Sequence, residues 1–86
     1  MYTYEIKEKL AQSLRKIARK DRVLYTEIIK KILQIAKNPA IGKPLRNVLK
    51  GKRRIHLGTF VLIYEIHENE SKIVFLEIAH HDEAYR

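Results

Sequence analysis

The chain has 86 residues, no cysteine, and a net charge of +8 from 18 lysines and arginines against ten acidic residues. Without cysteine, neither a disulfide framework nor a thiolate metal site can form. A chain of this length fits one domain, residues 1–86, whose modest core leaves no volume for a large enclosed cavity. We therefore expect any chemistry to lie on an open face or in a shallow groove.

The positive charge is unevenly distributed along the chain. Residues 1–37 carry ten basic and four acidic side chains, and residues 59–86 carry two basic and six acidic ones. Between them, residues 38–58 hold six basic side chains and no acid. An acid-free segment of this kind attracts polyanions, so it predicts a polyanion-binding surface. The basic residues of the first segment fit an ordinary solvated surface equally well.

The sequence shows no targeting or membrane-spanning pattern. The first five residues lack the features of a signal peptide, and no apolar run approaches the roughly 20 residues needed to cross a bilayer. We expect a cytoplasmic protein.

The first half of the chain predicts a strand followed by two helices. Residues 2–6 are rich in aromatic and β-branched side chains, which is typical of a short strand. Residues 8–19 and the segment after Asp21 place apolar residues at helical spacing. Asp21 is suited to cap the second helix, and Pro39 ends it because proline cannot continue a helix. The predicted buried stripes are Leu10, Leu14 and Ile17 in the first helix and Leu24, Ile28, Ile32 and Ile35 in the second.

The second half predicts a loop and three strands. Residues 39–51 contain both prolines and two of the three glycines, so they form a loop, with a short turn around 45–49. Beyond it the apolar period changes to two, and a turn at Gly58 and Thr59 leads into apolar strands at 60–66 and 72–79. The predicted fold class is α+β in the order β-α-α-β-β-β, with a two-helix hairpin on one face of an antiparallel sheet. The other face stays open, and strand alternation assigns to it Lys52, Arg54 and His56.

Two segments carry side chains that suit RNA cleavage without a metal, namely residues 52–56 and residues 80–86. Such cleavage needs a base for the attacking 2′-hydroxyl, an acid for the departing 5′-oxygen, and cations for the charge on phosphorus. Histidine exchanges protons near neutral pH, and arginine serves as a phosphate clamp. Each histidine also fits a solvated surface. Metal binding by His80 and His81 is not expected, because neighbouring strand residues point to opposite sides.

The ordered combination of these segments resembles the RelE/ParE toxin superfamily. The resemblance is carried by Leu45-Arg46, Lys52-Arg53-Arg54-Ile55-His56-Leu57-Gly58-Thr59-Phe60-Val61-Leu62-Ile63-Tyr64-Glu65-Ile66, and the closing His80-His81 with Tyr85. It covers nearly the whole chain, including the first strand and the helical hairpin. Its individual motifs are short and degenerate, so their order is what identifies the family.

The resemblance implies a toxin of a type II toxin–antitoxin system. RelE enzymes enter the ribosomal A site and cleave the codon there by 2′-hydroxyl attack, without metal or cofactor. An acidic RelB-like antitoxin holds them inactive, usually in a higher hetero-oligomer. By position, the resemblance implies catalytic roles for Arg54, His56, His81 and Tyr85, with His81 as the general acid. It implies RNA-binding roles for Arg46, Lys52, Arg53 and Arg86.

One position departs from the family pattern. The arginine expected between the aromatic residue and the aliphatic pair of the third strand is Val61 here. A phosphate clamp is therefore missing from its usual place, and Arg46, Arg53 or Arg86 would have to replace it. Two alternatives remain open. The chain could be a ParE-like toxin that inhibits DNA gyrase without cutting RNA, or a passive module that binds RNA or ribosomes.

Overall fold

The computed structural model describes residues 2–45 and 51–84, with the side chains of Glu83 and Ala84 left aside. Three predicted site residues, Arg46, Tyr85 and Arg86, lie outside the described residues, and so does most of the turn predicted at 45–49. The roles that the sequence assigns to them stay predictions.

The two predicted helices form where the apolar periodicity indicates. Helix α1 spans Glu8–Lys20, and helix α2 spans Arg22–Lys37. Asp21 separates them, and its carboxylate accepts a hydrogen bond from the Leu24 backbone N–H at 3.0 Å, which confirms it as the cap of α2. Helix α2 ends at Lys37, and a single 3₁₀ turn, Pro39–Ile41, follows after Asn38. Within the described part of the chain, neither helix is long and apolar enough to cross a membrane.

In the described residues, five strands form one sheet in the order β1-β5-β4-β3-β2. The strands are β1 (Thr3–Ile6), β2 (Lys43–Pro44), β3 (Lys52–Leu57), β4 (Phe60–His67) and β5 (Lys72–His80). Strands β2 to β5 pair antiparallel, and β1 joins β5 in parallel. A short helix α3, His81–Ala84, follows β5 directly. The α+β class and the helical hairpin on a mostly antiparallel sheet are thus confirmed.

Two features of the sheet were not predicted. The parallel placement of β1 follows from no residue pattern, since four residues of strand sequence carry no information about direction. Strand β2 is only two residues long and includes Pro44, which leaves no alternation to detect. Strand β2 is defined only by its pairing with β3, in which Lys43 lies opposite Arg54 and Pro44 lies opposite Arg53.

The main core lies between the helices and one face of the sheet. Leu10 and Leu14 of α1 pack there with three isoleucines of α2, and Tyr64 and Phe75 provide the largest fully buried sheet side chains. Ile55 and Leu57 pack against this core as predicted from strand alternation. The remaining core members are Ile28, Ile32, Ile35, Leu62, Ile73 and Ile78.

The second face, the sheet face away from the helices, is not fully open as the sequence had suggested. Val61 and Ile63 of β4 are buried there with Leu45, and Leu76 packs against them. The reason is that β4 is apolar at every position from 60 to 64, so alternation supplies apolar side chains to both faces. Leu45 is held over this small core by its backbone N–H, which donates to the Lys52 carbonyl at 2.8 Å. The functional surface is therefore the part of the second face beyond this core.

Candidate functional site

Strand β3 directs Arg54 and His56 onto the second face. In its ladder with β4, Arg54 lies opposite Ile63 and His56 lies opposite Val61. Paired residues of an antiparallel ladder point to the same side, and Val61 and Ile63 belong to the core of the second face. The predicted orientation of Arg54 and His56 is thereby confirmed. Lys52 lies on the same side, opposite Glu65 near the other end of β3.

Arg54 and His56 are in direct contact. An Nη1 atom of Arg54 lies 2.6 Å from Nε2 of His56. Arginine has no acceptor, so Nε2 must accept this hydrogen bond. The His56 ring is then neutral and carries its proton on Nδ1, and its basic nitrogen points at the guanidinium.

His81 reaches the same place from a distant part of the sequence. Strand β5 ends at His80, and the His81 backbone N–H donates to the Thr59 carbonyl at 2.9 Å, which ties the start of α3 to the β3–β4 turn. The rings of His56 and His81 stack with centroids 5.4 Å apart and planes inclined by 26°. A carboxylate oxygen of Asp82 lies 3.7 Å from Nδ1 of His81 and forms an ion pair when His81 is protonated. Two imidazoles thus meet beside a guanidinium.

The electrostatic surroundings keep His56 neutral. Its pKa is lowered from the usual value of 6.5, first by partial loss of hydration against its neighbours and then by the positive charges of Arg54, His81 and Lys43. Each of these charges makes the imidazolium form less favourable. At neutral pH the ring is therefore available to take a proton.

Lys43 is a site residue that the sequence reasoning did not single out. It lies directly opposite Arg54 in the β2–β3 ladder, so both side chains emerge on the second face. Its charge contributes to the lowered pKa of His56. The only sequence signal for Lys43 was its membership of the acid-free segment, since a two-residue strand has no periodicity. We call Lys43, Arg54, His56 and His81 the basic cluster.

A hydrogen-bond network holds β2 in place beside the basic cluster. The Tyr64 hydroxyl donates to the Pro39 carbonyl at 2.5 Å and accepts from the Gly42 N–H at 3.0 Å. The Gly42 carbonyl in turn accepts from Nη1 of Arg53 at 2.7 Å. Burial raises the pKa of Tyr64, so the hydroxyl stays protonated as this network requires. The network fixes the residue that precedes Lys43.

Arg53 is not part of the basic cluster, although the sequence placed it in the cationic patch. It lies opposite Tyr64, whose ring belongs to the main core, so it faces the helical side of the sheet. Its guanidinium is used to hold Gly42. Arg53 is therefore separated from Arg54 and His56 by the sheet itself.

The adjacent histidines His80 and His81 have different surroundings. The ring of His80 lies against Phe60, with centroids 4.7 Å apart, whereas the ring of His81 stacks on His56. Over residues 2–45 and 51–84, no group of three or more histidine, cysteine or acidic residues is arranged to hold a metal ion. The side chain of His80 is exposed.

Comparisons with known proteins agree with the fold and with the sequence resemblance. A family model described as the ParE toxin of the type II toxin–antitoxin system parDE matches residues 4–85. The chain is 34% identical over 87 residues to the putative toxin RelE4 of Methanocaldococcus jannaschii, and the match covers all of this chain and 93% of the relative.

Solved structures give the same result. The RelBE2 toxin–antitoxin complex of Mycobacterium tuberculosis is similar with a TM-score of 0.80 and 25% identity, over 92% of this chain and 96% of that one. The isolated RelE toxin of E. coli has the same fold, with a TM-score of 0.79 and 17% identity over 93% of this chain and 84% of that one. These matches define a toxin of a type II toxin–antitoxin system. The chain belongs to the RelE/ParE superfamily of such toxins.

Proposed function

We propose that this toxin inhibits translation by cleaving messenger RNA in the ribosomal A site, through metal-independent attack of a ribose 2′-hydroxyl. The observation that carries the proposal is the stacked pair of His56 and His81 beside the Arg54 guanidinium. A pair of imidazoles can supply the base and the acid that transphosphorylation requires. The resemblance to RelE enzymes supports the ribosome and its bound messenger as the setting.

His56 is the proposed base. Its lowered pKa keeps the ring neutral, so its Nε2 can take the proton of the 2′-hydroxyl. In the free protein that nitrogen accepts from Arg54. A phosphate that binds the guanidinium draws it away from the ring, because a charged acceptor forms the stronger hydrogen bond. Substrate binding would therefore expose the base only when a phosphate is present.

His81 is the proposed acid. As the 2′-oxygen bonds to phosphorus, the bond from phosphorus to the 5′-oxygen breaks and His81 gives its proton to that oxygen. The products are a 2′,3′-cyclic phosphate and a 5′-hydroxyl, and no external reagent is consumed. A carboxylate oxygen of Asp82 lies beside this proposed acid, 3.7 Å from Nδ1 of His81.

Arg54 and Lys43 are the proposed clamps on the phosphate. Their side chains emerge together from paired positions on β3 and β2, and cations there stabilise the charge that develops on the phosphoryl oxygens. Val61 cannot supply the arginine that the family pattern has at this position, and Lys43 is the described residue best placed to compensate. We further propose that Tyr85 stacks on a base of the codon, and that Lys52, Arg46 and Arg86 bind the backbone.

The proposed partners follow from charge and from the relatives. The basic cluster and the net charge of +8 favour the ribosome and messenger RNA, and an acidic RelB-like antitoxin would neutralise the same surface. The RelBE2 toxin is known in a toxin–antitoxin complex. Coexpression with an adjacent acidic gene should relieve growth arrest and yield a stable complex, and harmless expression of the folded chain alone would count against a toxin.

The direct test is cleavage of messenger RNA bound in the ribosomal A site. We expect cleavage to persist at EDTA concentrations that leave ribosomes intact, and the products to carry 2′,3′-cyclic phosphate and 5′-hydroxyl ends. Ends of the opposite type, a 5′-phosphate and a 3′-hydroxyl, would exclude 2′-hydroxyl attack. Growth arrest without any cut transcript would exclude the nuclease.

Inhibition of DNA gyrase is the second candidate function. It is favoured by the family model that matches, which is named for ParE, and by Val61 in place of the expected arginine. The two functions are separated by assaying supercoiling by purified gyrase and cleavage on ribosomes with the same preparation. A gyrase inhibitor should need neither His56 nor His81.

A further inference from the structure

A groove of about 400 Å³ is lined by His56 together with residues of α2 and the end of β3. One wall is the start of α2, with Val23 and Leu24, and the other is the end of β3, with Leu57 and Gly58. Val23 is 74% exposed although it is apolar. The groove is therefore a water-exposed apolar slot, and His56, the proposed catalytic base, is one of its lining residues.

We propose that this groove binds the base of the nucleotide whose 2′-hydroxyl is attacked, and that it selects guanine. The inference rests on the proposed function, because it places the attacked ribose at His56. In a nucleotide the base is attached to C1′, the direct neighbour of the carbon that carries the 2′-hydroxyl. His56 is a lining residue of the groove, so a ribose with its hydroxyl at His56 can place its base there.

The polar groups of the groove give the preference for guanine. Glu27 and Lys31 both line it, and they are four residues apart on α2, so their side chains are neighbours on one helix face. The carboxylate of Glu27 is an acceptor with two oxygens, which fits the adjacent N1–H and N2–H donors of guanine. The ammonium of Lys31 is a donor, which fits the O6 acceptor beside them.

The other bases match this pair of groups less well. Adenine and cytosine each present a single amino group next to an acceptor nitrogen, so they can form only one bond to Glu27. Uracil presents one N–H between two carbonyls. Asp21 also lines the groove, but its carboxylate already accepts from the Leu24 N–H. Glu27 is therefore the residue that discriminates.

The test uses the full purified chain and the four nucleoside 3′-monophosphates as probes, observed by NMR of the methyl groups of Val23, Leu24 and Leu57. We expect guanosine 3′-monophosphate to shift these signals at concentrations about tenfold or more below the other three, since one bidentate contact discriminates by that order. The Glu27→Gln variant should lose the preference. Glu70→Gln makes the same charge change on an exposed turn outside the groove and should keep it.

The outcomes separate this inference from the proposed function. Methyl signals of Val23, Leu24 and Leu57 that none of the four nucleotides shifts would overturn the base groove. Equal shifts with all four nucleotides would overturn the guanine preference, and so would a Glu27→Gln variant that keeps it. Guanine-selective shifts in a chain that cuts no RNA would support the guanine-binding groove and contradict the proposed nuclease function.

A cleavage measurement provides the second readout. On ribosomes programmed with messengers that differ only in the A-site codon, wild-type toxin should cut after guanine in preference to other bases. Glu27→Gln should flatten that profile by about tenfold, and Glu70→Gln, outside the groove, should leave it as in the wild type. An unchanged profile would overturn the inference even if cleavage itself is strong.

Discussion

Gly42 and Tyr64 are fitted to each other so closely that the tyrosine hydroxyl occupies the space of a side chain at position 42. A Cβ atom there would collide with the hydroxyl oxygen and the ring edge of Tyr64. The same hydroxyl bonds the Gly42 N–H and the Pro39 carbonyl. Tyr64, a member of the main core, thus fixes the strand that carries Lys43.

Removing only the hydroxyl should therefore weaken the fold. In Tyr64→Phe the Gly42 N–H and the Pro39 carbonyl lose a buried partner, and we expect the free energy of unfolding to fall by about 1–3 kcal/mol. Denaturant unfolding followed by circular dichroism measures this. Tyr4→Phe is the matched control, since Tyr4 is 44% exposed and its ring meets that of Phe75 in a T-shaped contact. Equal losses in the two variants would show that the network contributes nothing.

The two adjacent histidines provide a second matched pair. His81→Ala should lower the rate of messenger cleavage by about 10²–10⁴, the usual contribution of a general acid or base. His80→Ala should have a small effect, because that ring lies against Phe60 and not against His56. The measurement is a single-turnover time course on programmed ribosomes. A wild-type rate for His81→Ala would remove His81 from the mechanism.

The pH dependence follows from the lowered pKa of His56. Because the neutral ring is the base, cleavage should persist below pH 6.5 and be lost only as pH falls through the lowered value. Arg54→Gln removes a positive neighbour, so the pKa of His56 should rise toward 6.5 and the acid limb should move to higher pH. The free energy of unfolding depends on pH in the same direction. The neutral His56 ring supports the folded state above pH 6.5, and this contribution is lost as the pH falls through the lowered pKa.

NMR titration of the His56 ring signal measures that pKa directly. Lys43→Gln should shift this pKa in the same direction as Arg54→Gln but by less, since the charge of Lys43 lowers the pKa of His56 less than that of Arg54 does. Arg53→Gln is the control, because its guanidinium contacts Gly42. A His56 pKa at or above 6.5 in the wild type would contradict the conclusion that its surroundings lower this pKa.

The sequence predicted those parts of the fold that depend on local periodicity. Both helices and the alternation of β3 were predicted from apolar spacing, and the Asp21 cap was predicted from its residue type. Alternation alone assigned Arg54 and His56 to one face. The approach of His81 to His56 was suggested only by the family resemblance. It depends on the pairing of β4 with β5, where a bulge between Ile63 and Tyr64 shifts the register. No residue pattern in the sequence predicts such a shift of register.

The differences between the sequence prediction and the structure have physical causes as well. Arg53 was counted with its basic neighbours because charge runs ignore the strand period, yet its position opposite Tyr64 turns it to the helical side. Lys43 was missed because a two-residue strand is created by its partner and not by its own sequence. The second face was expected to be open, although β4 carries apolar residues for both faces.

Val61 shows why the missing arginine cannot simply be restored. Its side chain is fully buried between Leu45 and Ile63, so Val61→Arg would place an uncompensated charge in the small core of the second face. We expect it to lower the free energy of unfolding by about 3–5 kcal/mol without raising cleavage. Val23→Arg makes the same substitution at an exposed position and should change stability by less than about 0.5 kcal/mol. Faster cleavage by a stably folded Val61→Arg toxin would contradict this view.

The salt dependence of RNA binding tests the assignment of each cation. Basic side chains that contact phosphates release counterions, so removing one should reduce the slope of log affinity against log salt by about 0.7–0.9. We expect that reduction for Arg54→Gln and for Lys43→Gln, whose side chains lie side by side on the second face. Arg53→Gln should leave the slope near that of the wild type, because its guanidinium is bound to the Gly42 carbonyl on the other side of the sheet. Fluorescence anisotropy with a short single-stranded RNA at several salt concentrations measures the three slopes. Equal reductions for all three arginine and lysine variants would mean that the net charge of the domain, and not the geometry of the basic cluster, governs RNA binding.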